Sequence, residues 1–379
     1  MLKRTPLYEA HVRLGARLVD FGGWEMPVQY TGIVEEHLAV RRAAGLFDIS
    51  HMGELVVSGP GAETFLNRVL SNDVRRLAVG QGQYTLLCNV EAGVIDDLYV
   101  YRTEAAQYLL VVNATRSSAD YDWLQQQAWQ CSEPGAFQVR NVSDEFGAIA
   151  VQGPAVTSFM AKVMPGASVA GTAAASVLDL RKNRLGCWPW EGASVFVART
   201  GYTGEDGVEL VAAASAIGSL WERTLVAGAP FGLKPAGLGA RDTLRTEMCY
   251  PLYGHELNEA ITPLEAGLAR FVALDKGPFV GSERLAAQSA QGVTKQCVAF
   301  RLTDKGPPPR PRYPILDAAN SRLLGEVASG TQSPSLGVGI GLGYVPPSHS
   351  QPGMPLDLEV RGRRVRVVVV PKTIYRKTN

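Results

Sequence analysis

Two adjacent carboxylates interrupt an apolar run that otherwise has the composition of a buried strand. Asp96 and Asp97 lie in Gly93-Val-Ile-Asp-Asp-Leu-Tyr-Val-Tyr101. Because side chains alternate along a strand, we expect Asp97 to share a face with Tyr99 and Tyr101, and Asp96 to lie on the opposite face. Asp is depleted in strands, and an unpaired buried carboxylate is costly or has a raised pKa, so a carboxylate tolerated there is often kept for its function. The alternative is that both carboxylates line the solvated rim of a hairpin, and the residues alone leave both interpretations open.

A glycine-rich segment, Arg199-Thr-Gly-Tyr-Thr-Gly-Glu-Asp-Gly-Val-Glu209, could surround a flat ligand. Its glycines allow the backbone to approach a ligand closely, and Tyr202 offers an aromatic face for stacking. A carboxylate at Glu209, in the strand that follows, can accept two parallel hydrogen bonds from an amidine-like N–C–N edge. The same residues are compatible with an ordinary tight turn followed by a solvated glutamate.

A third candidate is a predicted helix, Ala240–Tyr250, which follows a glycine-rich turn. Arg241 and Arg245 are four residues apart and therefore lie on one helical face. They lie near an amino terminus whose free N–H groups favour anions or carbonyl oxygens. In the alternative interpretation, which is the simpler one, these arginines pair with Asp242 and Glu247.

Three further residues lie near strand ends. Asn113 ends the third strand of a predicted meander, where it is either a turn residue or an amide that faces the same cavity as Asp97. His51 and Met52 follow the start of a predicted strand, and a lone histidine is more often structural than catalytic.

The composition and the missing motifs exclude several classes of protein. The 379 residues include 37 Lys and Arg and 36 Asp and Glu, so a broad nucleic-acid surface or a polybasic membrane anchor is not expected. With 46% hydrophobic and 19% charged residues, the chain is predicted to be globular. The sequence contains no P-loop, dinucleotide fingerprint, His-Glu-x-x-His motif or Gly-x-Ser-x-Gly elbow. Any chemistry is therefore expected to come from carboxylates, amides, aromatic residues and a bound organic molecule.

Cysteine usage and apolar runs indicate the compartment. The five cysteines are scattered and never form a Cys-x-x-Cys pair, which is typical of a reducing cytoplasm and argues against a disulfide framework or a structural zinc. No apolar run is long enough for a transmembrane helix, and the first residues, MLKRTPLYEA, lack the pattern of a signal or transit peptide.

Strands and helices mix without a regular βαβ rhythm, which predicts an α+β fold rather than a doubly wound sheet. The predicted strands are 49–57, 84–89, 94–102, 108–113, 148–152, 195–199 and 207–212. The predicted helices are 33–44, 116–130, 214–226, 240–250 and one after each of Gly59-Pro60 and Gly153-Pro154. From about residue 280, a proline-rich stretch and several short strands predict a separate small all-β domain.

Five segments are recognisable together, in order and in spacing. They are Asp20-Phe-Gly-Gly-Trp-Glu-Met-Pro27, Phe47-Asp-Ile-Ser-His-Met-Gly-Glu54, Gly93-Val-Ile-Asp-Asp-Leu98, the segment that ends at Glu209, and Ala236-Gly-Leu-Gly-Ala-Arg-Asp242. In these segments the chain strongly resembles the aminomethyltransferase family, the T proteins of the glycine cleavage system. The likeness continues through 325–337 to Tyr375 and so covers nearly the whole chain.

The resemblance implies a three-domain cloverleaf of α+β and β domains around a central folate cavity, with a C-terminal small β-barrel or jelly-roll-like domain. Residues 1–275 would form the folate-binding aminomethyltransferase region. This region would consist of two interleaved α+β subdomains, 1–50 with about 140–275, and about 51–139. Residues 280–379 would form the C-terminal all-β domain.

The resemblance also implies the reaction and its participants. An aminomethyl-derived one-carbon unit on the dihydrolipoyl arm of the H protein would pass to tetrahydrofolate, giving 5,10-methylenetetrahydrofolate, ammonia and dihydrolipoyl H protein. Tetrahydrofolate would be the acceptor substrate, no metal would be needed, and the partners would be the lipoylated H protein with the P and L proteins. Nucleic acid and membrane partners are not expected, and the location would be the bacterial cytoplasm.

Residue roles follow by similarity to the family. Asp97 would be the catalytic carboxylate near the folate nitrogens, and Glu209 and Arg241 would hold the pterin. The other residues expected to bind the folate are Met52, Tyr84, Asn113, Tyr202, Tyr250 and Tyr375.

Relatives that share the fold have other functions, which gives two alternatives. One is another tetrahydrofolate-dependent demethylase, which the retained Asp97 and its intact flanking segments argue against. The other is a non-enzymatic folate-binding module, which generally carries a cysteine motif that is not evident in this sequence.

Overall fold

The computed structural model describes residues 1–130 and 136–377 and divides into two compact units. The first unit comprises Met1–Thr85 and Asp97–Arg241, and the second comprises Leu86–Asp96 and the chain from Asp242 onward. No helix in the described ranges is both long and apolar enough to cross a membrane. The described cysteines are free thiols, and Cys131 lies outside the described residues.

The helices and strands up to residue 235 alternate irregularly, as predicted. The helices are α1 (Tyr8–Arg13), α2 (Ile33–Arg42), α3 (Ala62–Val69), α4 (Ser117–Trp129), α5 (Val156–Val163) and α6 (Ile217–Gly228). The strands are β1 (Arg17–Phe21), β2 (Trp24–Gln29), β3 (Ala44–Asp48), β4 (Gly53–Ser58), β5 (Gln81–Cys88), β6 (Val94–Glu104), β7 (Gln107–Val112), β8 (Gln138–Asn141), β9 (Phe146–Gln152), β10 (Ala170–Gly171), β11 (Leu185–Trp190), β12 (Ala193–Ala198), β13 (Gly207–Ala213) and β14 (Leu233–Pro235).

A mostly antiparallel sheet supports the glycine-rich segment. Among the described residues it contains seven strands in the order β10-β11-β12-β13-β9-β3-β14, of which only β3 and β14 pair in parallel. Its core residues are apolar and fully buried, and α5 and α6 contribute Phe159 and Trp221 to the same core. Val195 and Val197 alternate along β12 and are fully buried, which suits such a sheet because β-branched residues pack well on a pleated surface.

A second sheet carries the predicted carboxylate pair. Its described strands follow the order β5-β6-β7-β4-β8. Tyr99 of β6 lies opposite Val111 of β7, which in turn lies opposite Glu54 of β4. Extending the β6–β7 register by two residues places Asp97 opposite Asn113. The predicted meander is therefore confirmed, and it brings these two residues together.

The predicted strand 49–57 is wrong in its first half. The chain forms β3 up to Asp48 and leaves the sheet before β4 begins at Gly53. The cause is local hydrogen bonding: the Asp48 carboxylate accepts the backbone N–H of Ser50 at 2.8 Å, and the N–H of Met52 donates to the carbonyl of Ile49 at 3.0 Å. A side chain that bonds to its own backbone competes with the sheet in this way. The turn places His51 and Met52 between two strands.

The second unit contains a small closed barrel and the helices that precede it along the chain. Helix α7 (Leu238–Glu247) enters this unit at Asp242, and α8 (Ser282–Gln291) precedes the barrel. The barrel strands are β15 (Gln296–Leu302), β16 (Pro314–Asp317), β17 (Leu323–Gln332), β18 (Gly339–Val345), β19 (Pro355–Val360) and β20 (Arg363–Val370), and they close in the order β15-β18-β17-β16-β19-β20. Buried aliphatic side chains and Phe300 fill its interior.

Candidate active site

The carboxylate of Asp97 is held from both sides. The Tyr84 hydroxyl donates to Oδ2 at 2.8 Å, and the Asn113 amide donates to Oδ1 and to the Asp97 carbonyl, each at 3.0 Å. All three side chains are half-buried. Two donors on separate oxygens fix the orientation of the carboxylate and keep it an acceptor. Of the two interpretations for Asn113, the amide that faces Asp97 is confirmed.

The alternation expected along β6 is confirmed. Asp96 is 0% exposed, whereas Asp97 is half-buried. The interpretation that both carboxylates line a solvated rim is therefore wrong. On the Asp97 face, the Tyr99 hydroxyl donates to Oδ1 of Asn183 at 2.8 Å, and the ring stacks on Tyr101 with centroids 5.4 Å apart.

The glycine-rich segment forms a loop that is fixed by buried polar side chains. The Gln152 amide donates to the carbonyl of Thr200 at 3.0 Å, and its oxygen accepts the Thr203 hydroxyl at 2.9 Å. At Gly201 a Cβ atom would lie 1.8 Å from the Gln152 amide oxygen, so this close approach requires glycine. Arg41 adds a second anchor because it donates to the Thr203 carbonyl at 2.7 Å. The loop is therefore anchored on both sides of Tyr202, at Thr200 and Thr203.

Glu209 lies near the start of β13, the strand that follows this loop. It lies in β13 opposite Ala198 of β12, and its Oε2 accepts the Thr200 hydroxyl at 2.6 Å. Among the described residues no hydrogen bond reaches Oε1 of Glu209. The carboxylate is half-buried rather than solvated, which favours the ligand-binding interpretation over an ordinary turn.

Arg241 and Arg245 separate into different environments. The guanidinium of Arg241 lies over the Tyr202 ring, 4.7 Å from its centroid. Its Nη1 atom is buried and, within the described ranges, has no hydrogen-bond partner. Burial lowers the pKa of Arg241, and the nearby carboxylate of Glu209 opposes this effect. A buried donor without a protein partner is rare in folded proteins, so this Nη1 is available to an acceptor.

Arg245 follows the ion-paired alternative instead. Its guanidinium lies 2.7 Å from Asp242 and 2.9 Å from the buried Glu256. Glu247 instead accepts the hydroxyls of Ser333 and Ser335. The ion-paired interpretation is therefore confirmed for Arg245 with a different second partner.

Comparisons with known proteins agree with this geometry along the whole chain. Residues 7–276 match the GCVT N-terminal domain family, and residues 295–376 match the glycine cleavage T-protein C-terminal barrel domain family. Aminomethyltransferases of Desulfitobacterium hafniense and Moorella thermoacetica are 43% and 44% identical, and each comparison covers 99% of this chain and at least 98% of the relative. The crystal structure of glycine cleavage system aminomethyltransferase T from Bartonella henselae superposes with a TM-score of 0.89 at 31% identity, over 99% of this chain and 98% of that one.

The chain belongs to the glycine cleavage T-protein family. The expected α+β fold with a C-terminal barrel is confirmed. The expected enzymatic activity, aminomethyl transfer in glycine cleavage with tetrahydrofolate as a substrate, is also confirmed. The two alternative functions are not favoured.

Two of the residues expected from the sequence to bind the folate belong to the second unit. The Tyr250 N–H donates to the Arg245 carbonyl at 2.9 Å at the end of α7, and the Tyr375 N–H donates to the Glu247 carbonyl at 3.1 Å. Both tyrosines are half-buried. The C-terminal segment is thus fixed to α7 close to Tyr250. In the described part of the chain, no group of three or more His, Cys, Asp or Glu side chains could hold a metal ion.

His51 is a buried residue whose environment the sequence does not show. It is 4% exposed, its Nδ1 has no hydrogen-bond partner among the described residues, and its ring meets Phe21 edge to face at 5.6 Å. Burial lowers the pKa of His51 to about 4, Asp48 opposes this effect and Arg241 adds to it. The imidazole is therefore neutral at physiological pH.

Glu54 is a second buried residue whose environment the sequence does not show. Its side chain is 0% exposed, and neither carboxyl oxygen has a hydrogen-bond partner in the described ranges. Burial raises the pKa of Glu54 to about 8. One feature of the sequence could have indicated that Glu54 faces the site. It lies at the start of β4, where strand alternation places it on the face of the sheet that carries Tyr99.

Proposed function

We propose that this T protein accepts the one-carbon unit from the dihydrolipoyl arm of a lipoylated H protein and transfers it to tetrahydrofolate, with Asp97 as the catalytic carboxylate. The observation that carries the proposal is the double anchoring of Asp97 by Tyr84 and Asn113. A preorganised acceptor needs no reorganisation when positive charge develops on the transferred group.

Asp97 would act as a proton acceptor or as a stabiliser of the developing iminium cation. The nucleophile is a nitrogen of the folate, so the chain itself supplies no nucleophile. A fixed carboxylate next to the developing charge contributes through electrostatics and proton transfer. The remaining contribution is proximity, because the two reacting groups are held against each other.

Glu209, Arg241 and Tyr202 would bind the pterin. The open Oε1 of Glu209 suits an N–H edge, and the unpartnered Nη1 of Arg241 suits a carbonyl or ring-nitrogen acceptor. Arg241 already stacks on Tyr202, so this pair presents a preformed flat surface.

The remaining assignments rest on the family resemblance. Met52, Tyr250 and Tyr375 would complete the folate site. Residues 1–275 would form the folate-binding aminomethyltransferase region, and residues 280–379 would form the C-terminal all-β domain. The P and L proteins would act on the same H protein. The cytoplasmic location also stays a prediction.

Replacement of Asp97 by Asn tests the proposal. With aminomethyl-loaded H protein and tetrahydrofolate, Asp97→Asn should reduce ammonia release by about a thousandfold while calorimetry shows nearly unchanged tetrahydrofolate affinity. Asp122→Asn, on the exposed face of α4, makes the same chemical change away from the site and should retain full activity. Unchanged turnover in Asp97→Asn would remove this residue from the mechanism.

A further inference from the structure

We propose that Tyr101 and Thr200 are positioning residues that hold the Glu209 carboxylate in one orientation, with Oε2 engaged and Oε1 left for the ligand. The proposal rests on the proposed role of Glu209 in binding tetrahydrofolate. Three side chains form a continuous chain of hydrogen bonds. The Tyr101 hydroxyl lies 3.0 Å from the Thr200 hydroxyl, which lies 2.6 Å from Oε2 of Glu209.

The direction of each hydrogen bond follows from the number of protons available. The Thr200 hydroxyl donates its single proton to Oε2 of Glu209. The hydrogen bond between Thr200 and Tyr101 must then be donated by the phenol. Burial raises the pKa of Tyr101 well above its usual value, and the carboxylate of Glu209 adds to this effect. The phenol therefore stays a donor throughout the working pH range.

The two hydroxyl-bearing residues of this hydrogen-bonded relay, which runs from Tyr101 through Thr200 to Glu209, are fixed by their surroundings. Tyr101 is buried among Leu185 and Ala198 and stacks on Tyr99. Its ring lies so close to Gly82 that a Cβ atom there would be 2.3 Å from it. The backbone of Thr200 is held through its carbonyl by the Gln152 amide at 3.0 Å. These contacts fix the ring of Tyr101 and the backbone of Thr200, and so set the positions from which the two hydroxyls act.

The relay connects the two parts of the site. Tyr101 lies on β6, on the same face as Asp97 and four residues from it. Glu209 lies on β13 in the other sheet of the first unit. The relay is the hydrogen-bonded link between the strand of the proposed catalytic carboxylate and the proposed pterin acceptor. Because the relay ends on Glu209, we expect its loss to weaken ligand binding more than it slows the chemical step.

Isosteric replacement of the threonine tests this inference. In the full-length protein, Thr200→Val should raise the Kd for tetrahydrofolate about tenfold, because a charge-assisted hydrogen bond is lost and Glu209 is free to rotate. The kcat with saturating tetrahydrofolate and loaded H protein should change less than about twofold. Thr200→Ser, which keeps the hydroxyl, should restore the affinity. Tyr101→Phe should raise the Kd by a smaller factor, about threefold, because the Thr200 donor is retained.

Two controls separate positioning from folding. Thr224 is also buried, but its hydroxyl donates only to the helix carbonyl of Leu220 at 2.7 Å, so Thr224→Val should leave the Kd unchanged. In a Glu209→Gln background, Thr200→Val should have little additional effect, because the two residues act as one unit. A Thr200→Val protein with a lower Tm and unchanged Kd would overturn the inference.

Failure of the inference can be distinguished from failure of the proposed function. If Glu209→Gln binds tetrahydrofolate as tightly as the unmodified protein, the role of Glu209 itself is wrong. If Glu209→Gln weakens binding and Thr200→Val does not, only the relay is wrong.

Discussion

Replacement of Glu54 by Gln should change how the stability of the first unit depends on pH. The carboxyl of Glu54 is completely buried without a hydrogen-bond partner in the described ranges, and burial raises its pKa to about 8. The folded protein therefore keeps this proton at neutral pH, whereas the unfolded chain releases it. Glutamine has nearly the same shape and does not ionise, so Glu54→Gln removes this difference.

The sign and the size follow from the two pKa values. Between the usual value of 4.5 and about 8, the folded state binds more protons than the unfolded state, so stability falls as pH rises through this window. Below pH 4.5 the burial of Glu54 causes no pH-dependent change in stability. Above about pH 8 the free energy of unfolding is lower by the full amount, about 5 kcal/mol. From about pH 5 to about pH 9, the stability of Glu54→Gln should improve by about 4 kcal/mol relative to the unmodified protein.

Urea unfolding followed by tryptophan fluorescence measures this effect. All six tryptophans lie in the first unit, which also contains Glu54, so the signal reports on the relevant part of the chain. Glu145→Gln is a matched control because this glutamate is exposed and should leave the pH profile unchanged. If the stabilities of Glu54→Gln and the unmodified protein differ by the same amount at every pH, Glu54 is not a buried neutral acid.

Three further predictions concern the site and its support. Arg241→Ala should raise the Kd for tetrahydrofolate about tenfold or more in calorimetry, and an unchanged Kd accompanied by lost helical circular dichroism would indicate a structural role. Tyr84→Phe should lower kcat for ammonia release about tenfold, because one oxygen of Asp97 loses its donor, and full activity would show that the hydroxyl is dispensable. Asp48→Asn should destabilise the protein by about 3 kcal/mol in urea unfolding, because it breaks a fully buried pair with His11 at 2.9 Å. Burial alone would raise the pKa of Asp48, but hydrogen bonds from His11, Thr5 and Ser50 lower it overall, so its stabilisation should be lost only as pH falls below about 4.

The sequence was sufficient to predict the local part of the site. Strand alternation separates the buried Asp96 from Asp97, and helical spacing places Arg241 and Arg245 together. Local patterns do not show which of the two arginines is ion-paired, because this depends on Glu256, which lies 11 residues from Arg245 along the chain. The roles proposed for Asp97 and Glu209 rest on the family resemblance rather than on spacing.

Long-range polar contacts were beyond prediction for a physical reason. Asp48 and His11 are 37 residues apart, and Thr200 and Tyr101 are 99 apart. Neither pairing leaves a periodic signal, because each depends on how two distant segments pack. The error at 49–57 has a local cause: the Asp48 carboxylate accepts the Ser50 N–H, and the chain leaves the sheet after Asp48 although the apolar residues that follow favour a longer strand.

The electrostatics around Arg241 favour ligand binding over internal pairing. A protonated His51 would place a second cation near this guanidinium, but burial holds the imidazole pKa at about 4 and so keeps it neutral. The cation of Arg241 therefore has Glu209 as its nearby carboxylate, and the relay from Tyr101 already engages one oxygen of that carboxylate. One donor of Arg241 and one acceptor of Glu209 stay available, which is the complement of a flat ring whose edge carries both an acceptor and N–H groups.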